Sequence, residues 1–204
     1  MSVKALLCAV LFSLCGTFVQ AEPAPTPEGL EFCTVCHGNQ LKGNSNIAAP
    51  RLSGLDADYL ARQLKAFRQG MRGAHPDDEN GSLMRPMSSL LSEADIAQVV
   101  KWITATESPV PAPSITGDSE HGRQLFQSCA ACHGANAMGN VQLGAPSLVA
   151  LNDWYVVNQL QHFRDGLRGE QASDTYGQMM VAASKVLSSN QDINDVVAYI
   201  NTLK

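Results

Sequence analysis

Shifted by 96 positions, the 204-residue sequence falls on itself. Cys33, Cys36 and His37 meet Cys129, Cys132 and His133, and Pro50, Leu52, Leu55 and Tyr59 meet Pro146, Leu148, Leu151 and Tyr155. The register continues through Gln63/Gln159, Leu64/Leu160, Phe67/Phe163, Arg68/Arg164, Gly70/Gly166, Arg72/Arg168 and Gly73/Gly169. An ungapped echo of this length means one structural unit made twice, which fixes the architecture before any chemistry is considered. Between the copies Pro109, Pro111 and Pro113 alternate, the pattern of an extended, semi-stiff connection. The expected organisation is an export signal at 1–21, a first unit at 22–107, a linker at 108–117 and a second unit at 118–204.

Each unit reads as all-α. Leu60, Leu64 and Phe67 fall on one helical face that Gly70 would end, and Val156, Leu160, Phe163 and Gly166 repeat the pattern. Ser92 to Asp95 resembles a capping box, with Asp in place of the usual Glu, before Ile96, Val99, Val100 and Ile103. Its counterpart is Ser189 to Asp192, before Ile193, Val196, Val197 and Ile200, at an offset of 97 that marks one inserted residue. Strand-like alternation is nearly absent. A small helical, loop-rich unit of under about 100 residues often needs help from a metal, disulfide or cofactor to make its core.

The first residues predict export. Lys4 is a positive start, Ala5 to Val19 is an apolar stretch, and a cut is expected after about Ala21. That stretch is shorter than the roughly 20 residues of a membrane span, so an uncleaved anchor is the lesser reading. Cys8 and Cys15 leave with the signal, and the mature chain keeps cysteines only in the repeated motif. A net charge of −5, with no basic run, speaks against nucleic-acid binding.

Two Cys-x-x-Cys pairs could be redox dithiols, halves of zinc sites or covalent haem anchors. A structural zinc site wants four ligands, and neither unit supplies a second pair at finger spacing. A thioredoxin-like dithiol wants a βαβ setting that the pattern lacks. Cys-x-x-Cys-His is the c-type haem attachment pattern: thiols one turn apart each form a thioether with one haem vinyl group, and the next residue binds the iron. Two copies in register, in an exported chain, predict two covalently bound haem c groups on Cys33, Cys36, Cys129 and Cys132, with His37 and His133 as axial ligands.

The sixth ligand decides the chemistry, since His/Met iron is typical of electron-transfer cytochromes. Met71, Met84 and Met87 are candidates in the first unit, Met179 and Met180 in the second. Only Met84 and Met180 coincide at the repeat shift, each 47 residues beyond its His, so they are the expected ligands. Met87 and Met179 are then expected as apolar packing beside the haem. Two irons with both axial positions filled leave no place for substrate, which predicts a carrier and not an enzyme.

Over about residues 27–204 the sequence resembles the dihaem cytochrome c4 family. The resemblance rests on the paired Cys-x-x-Cys-His-Gly motifs and on Pro-Arg-Leu-Ser-Gly at 50–54. Phe-Arg-x-Gly-x-Arg at 67–72 and 163–168, and a Met seven residues before Leu91-Ser92 and Leu187-Ser188, extend it. It implies two class I cytochrome c domains in tandem, related by pseudo-twofold symmetry, with facing haems. It implies a periplasmic protein moving single electrons from a redox-protein donor to an acceptor such as a terminal oxidase. A membrane-bound oxidase or quinol-oxidising complex would be the partner, in some cases with peripheral membrane association. The runner-up readings are the cytochrome subunit of a dehydrogenase or oxidase complex and, further off, a dihaem redox enzyme. The resemblance also implies that the carbonyls of Pro50 and Pro146 accept the Nδ1–H of His37 and His133.

Three features depart from that pattern or leave it open. The first unit is expected to carry only a short N-terminal helix, about Thr26–Phe32, against a fuller one at Glu120–Ser128; Leu30 stands where the second copy has Phe126, which would weaken packing on Trp102. His162 replaces Ala66 and is expected as a surface or interface histidine in preference to a ligand. Arg68, Arg72, Arg164 and Arg168 suit either haem propionates or solvated helix ends.

Overall fold

The computed structural model describes residues 25–204, so the expected signal and its cut at Ala21 lie outside the described residues. Two sets of four helices follow one another. The first is α1 (Phe32–His37), α2 (Ala57–Arg68), α3 (Glu79–Ser89) and α4 (Glu93–Ala105). The second is α5 (Ser119–His133), α6 (Asp153–Arg164), α7 (Thr175–Ser184) and α8 (Asn190–Asn201). A 3₁₀ turn follows the first helix of each set, at Ser45–Ile47 and Val141–Leu143. Extended pairing among the described residues is confined to single bridges, Asn44 with Ala49 and Asn140 with Ala145.

Local chemistry places the helix ends. The Asp56 carboxylate accepts from Asp58 N and Tyr59 N to start α2, and Gly70, at φ +71°, turns the chain just past its end. Both expected capping boxes form. Asp95 N donates to Ser92 Oγ at 3.2 Å while Ser92 N donates to Asp95 Oδ2 at 2.8 Å, and Ser189 and Asp192 repeat the exchange. The four apolar residues expected on the inner face of each of α4 and α8 are all buried. In the second unit α8 crosses α5 at Gly122, where a Cβ would overlap the carbonyl of Asp195. One turn on, the Phe126 and Tyr199 rings sit 5.4 Å apart.

The N-terminal helix of the first unit differs from expectation. It begins at Phe32, where it was expected to end, and runs through the cysteine motif. Before it Gly29, at φ +79°, and a Leu30 N to Pro27 O bond of 3.1 Å make a turn that the flanking prolines favour. Leu30 and Trp102 are nonetheless both buried in one core, so the smaller side chain is accommodated.

The linker carries no helix or strand and is fastened at both ends. Arg51, only 4% exposed, donates Nε to Ser108 Oγ at 3.0 Å, Nη2 to Ser108 O at 2.6 Å and Nη1 to Ala150 O at 2.8 Å. At the far end Asp153, 2% exposed, accepts from Ser114 N at 2.5 Å, Ser114 Oγ at 2.6 Å and Ile115 N at 2.8 Å. Asn201 Nδ2 adds a fourth bond at 2.9 Å. Burial alone would raise the Asp153 pKa, but these donors outweigh it and hold the group at about 2.

Candidate functional site

Each unit encloses a cavity, of about 300 Å³ in the first and about 180 Å³ in the second. Cys33, Cys36, His37 and Met84 line the first; Cys129, Cys132, His133 and Met180 line the second. The repeat therefore brings together, twice, every side chain expected at a haem. The cysteines lie one helical turn apart at the ends of α1 and α5 and are not bonded to each other. Burial pushes Cys33 up to about 11 and raises Cys129 as well. Reactive dithiols have depressed pKa values, so these thiols do not have that character.

The histidines end the same two helices and are buried. His37 Nδ1 donates to Pro50 O at 2.7 Å and His133 Nδ1 to Pro146 O at 2.9 Å. Glycine makes this approach feasible. At Gly43 (φ +87°) a Cβ would lie 2.6 Å from Arg51 N, and at Gly139 (φ +87°) 2.7 Å from Ala145 O. The Nδ1 bond leaves Nε2 as the ring's lone-pair nitrogen. In His37 that atom is buried without any hydrogen-bond partner. An orphaned buried acceptor costs roughly 1–3 kcal/mol, a cost that a metal bound at that atom would remove.

The methionines sit on α3 and α7, two helices the sequence did not announce. Met84 and Met180 are half-buried, whereas Met87 and Met179 are exposed at 38% and 50% on the rims of the same cavities. Met71 is outside both linings, and Met138 is 65% exposed.

Each cavity takes part of its wall from the other unit. Tyr155, Asn158 and Gln159 of α6 reach the first cavity, and Tyr59, Arg62 and Gln63 of α2 reach the second. Arg72 joins them, donating to Tyr155 Oη at 2.6 Å, Gln159 Oε1 at 3.0 Å and Gln63 Oε1 at 2.7 Å. Arg168 mirrors it, with Gln159 Oε1 at 2.5 Å, Gln63 Oε1 at 2.8 Å and the Tyr59 hydroxyl. Burial acts to raise the Tyr59 pKa, but the Arg168 and Arg72 guanidiniums overcome it and lower the value. Each guanidinium also stacks on its own unit's Phe67 or Phe163, at 4.4 and 4.5 Å. Arg72 and Arg168 thus lie at the cavity walls between the units. Arg68 and Arg164 take the helix-end alternative, Arg68 on Leu91 O and Glu93 and Arg164 on Asp165 and Asn190.

The cytochrome c family model matches residues 30–107 and 119–204, one match per unit. A thiosulfate dehydrogenase electron acceptor of Stutzerimonas stutzeri (strain A1501) is 32% identical over 165 residues, 74% of this chain and 72% of that protein. Cytochrome c4 of Thiocapsa roseopersicina is 30% identical over 182 residues, covering 84% of this chain and 86% of its own. The solved cytochrome c4 of Acidithiobacillus ferrooxidans superposes with a TM-score of 0.67 at 26% identity, over 83% of this chain and 98% of that one. With two cytochrome c domains in tandem, each bearing a covalently attached haem c, the chain belongs to the dihaem cytochrome c4 family of electron carriers.

Proposed function

We propose that the chain passes single electrons between a redox-protein donor and an acceptor of the terminal-oxidase kind, through two haems held by its own Cys-His-Met sets. Cys33 and Cys36, and Cys129 and Cys132, would supply the thioethers; His37 with Met84 and His133 with Met180 would bind the two irons. The carbonyls of Pro50 and Pro146 hold the histidine rings so that Nε2 is the ligating nitrogen, and they raise its basicity. The observation that carries this reading is the repeated convergence on one cavity of two cysteines, a proline-anchored histidine and the more buried of two neighbouring methionines. A haem bound there would supply a one-electron couple, and ligation by His and Met would leave its iron no open position for substrate.

The chain's part is to bury that couple and orient it. Phe67 and Phe163 help exclude water, while Tyr59, Gln63, Tyr155, Gln159 and the two arginines set a polar seam between the cavities. Exposed apolar residues gather at the cavity mouths: Ile47, Leu83 and Met87 at the first, Leu143, Tyr176 and Met179 at the second. Such rims suit brief docking over a haem edge, and this placement favours a mobile carrier over a permanently bound subunit. The S. stutzeri relative, an electron acceptor for thiosulfate dehydrogenase by name, makes that kind of donor a second candidate. Reading residues 1–21 as an export signal supports a periplasmic carrier, with a membrane-bound oxidase or quinol-oxidising complex within reach. Mass and absorption spectroscopy of the protein purified from its exported fraction test the reading. Two covalent haems and low-spin, Met-ligated iron are expected; high-spin iron at either haem in the native oxidised protein refutes it.

A further inference from the structure

The two units are not equivalent at one buried position. Tyr155, Asn158, Gln159 and His162 form one stripe of α6, spaced so that they share a face, and the first three line the first cavity. His162, on the same stripe, is 8% exposed and has no counterpart, since the matching residue of α2 is Ala66. Asn158 Nδ2 lies 3.2 Å from its Nε2. Its Nδ1 has no hydrogen-bond partner and lies 3.5 Å from Oδ1 of Asp78, a carboxylate of the other unit.

Asp78 ties this histidine to the first haem site. It lines the first cavity, and its Oδ1 accepts Gly81 N at 2.8 Å to cap α3, the helix of Met84. We propose that His162 is a proton-binding site coupled to the first haem: when that haem takes one electron from its donor, His162 takes one proton from water. One O–H bond of the solvent proton donor breaks and one N–H bond forms on the imidazole; the electron stays on the haem. The proton lands on the imidazole, completes a charge-assisted contact to Asp78, and offsets the positive charge that the iron loses. The inference rests on the haem sites proposed above.

The surroundings make His162 a sensitive reporter. Burial lowers its pKa; Asp78 opposes that, Arg168 and Arg72 reinforce it, and Asp165 opposes it again. The net direction is down, so the ring is neutral at neutral pH and titrates below the usual imidazole value of about 6.5. Reduction removes one positive charge nearby, which raises its proton affinity. Across a low-dielectric wall the expected change is on the order of tenfold. In a one-electron couple that equals about 59 mV of midpoint potential between the acid and alkaline limits.

The test is a spectroelectrochemical titration of the intact dihaem protein from about pH 5 to about pH 8, for wild type, His162→Gln and His162→Ala. In wild type, the haem whose potential drops in Met84→Ala should rise in potential as pH falls, and the other haem should respond far less. Both His162 variants should lose that slope while keeping two low-spin haem spectra. A pH-independent potential in wild type overturns the proposal, as does a slope retained in both variants or carried by the Met180 haem. A magnetic-resonance titration of the His162 ring needs no variant: equal proton affinities in the oxidised and reduced protein refute the coupling. Loss of low-spin Met-ligated spectra in wild type itself would instead be a failure of the haem-site reading.

Discussion

Replacing Asp153 by Asn tests how firmly the linker is fastened. The native carboxylate is 2% exposed and accepts four hydrogen bonds from residues distant in sequence, three of them from the linker. With a pKa of about 2 when folded, against about 3.9 when unfolded, the charged form stabilises the fold by about 2 kcal/mol at neutral pH. The folded value is the lower one, so this contribution is complete above about pH 5 and declines as pH falls toward 2, with about half gone near pH 3. Asp153→Asn keeps the shape and removes the charge. Its Tm should lie roughly 4–8 °C below wild type at pH 7, and the gap should narrow steadily on acidification. Thermal melts of the haem-loaded protein at a series of pH values between 7 and 3 measure both. Limited proteolysis should find the Ser108–Ser114 stretch cut faster in the variant. Melting curves that stay parallel from pH 7 to pH 3 would refute the picture of a buried charge held by the linker.

Two further outcomes follow from the site and its scaffold. Met84→Ala and Met180→Ala should each lower the potential of a different haem and abolish its Met-ligated absorption, with the fold retained; an unchanged spectrum in Met84→Ala would move the ligand to Met87. Gly122→Ala places a methyl group against the Asp195 carbonyl where α5 crosses α8, so it should destabilise the second unit by roughly 1–3 kcal/mol, and a melt equal to wild type would contradict that crossing.

Much of this molecule was legible in one dimension because the chain states its plan twice. The repeat and the 3.6-residue spacing gave α2, α4, α6 and α8, and the capping signals at Ser92 and Ser189 marked two starts to the residue. The cysteines and histidines were equally plain, because covalent attachment demands a fixed local spacing. The helices bearing the methionines were not. α3 contains Gly81 and Pro86, and α7 is apolar on nearly every side, so neither has a readable periodicity. Nor was it legible that Arg72 and Arg168 would bridge the units, since a guanidinium suits a propionate as well as a glutamine. One signal was available. Tyr59 and Gln63, a turn apart, recur as Tyr155 and Gln159, and polar pairs kept in both copies of an amphipathic helix mark a shared face. The N-terminal helix was misplaced because the prolines before Phe32 outweigh the helical pattern around them.

The exchange of cavity walls between the units changes what the duplication amounts to. Two carriers on a string could be separated, and each half would keep its properties. Here, cutting the chain in the linker and parting the halves would open both haem crevices to water, since Tyr155 and Gln159 would leave one and Tyr59 and Gln63 the other. Neither half is interchangeable with its twin, because Asn158 and His162 on α6 stand opposite Arg62 and Ala66 on α2. The molecule is modular in its ancestry and indivisible in its operation. A change at either face of the seam reaches the walls of both cavities together.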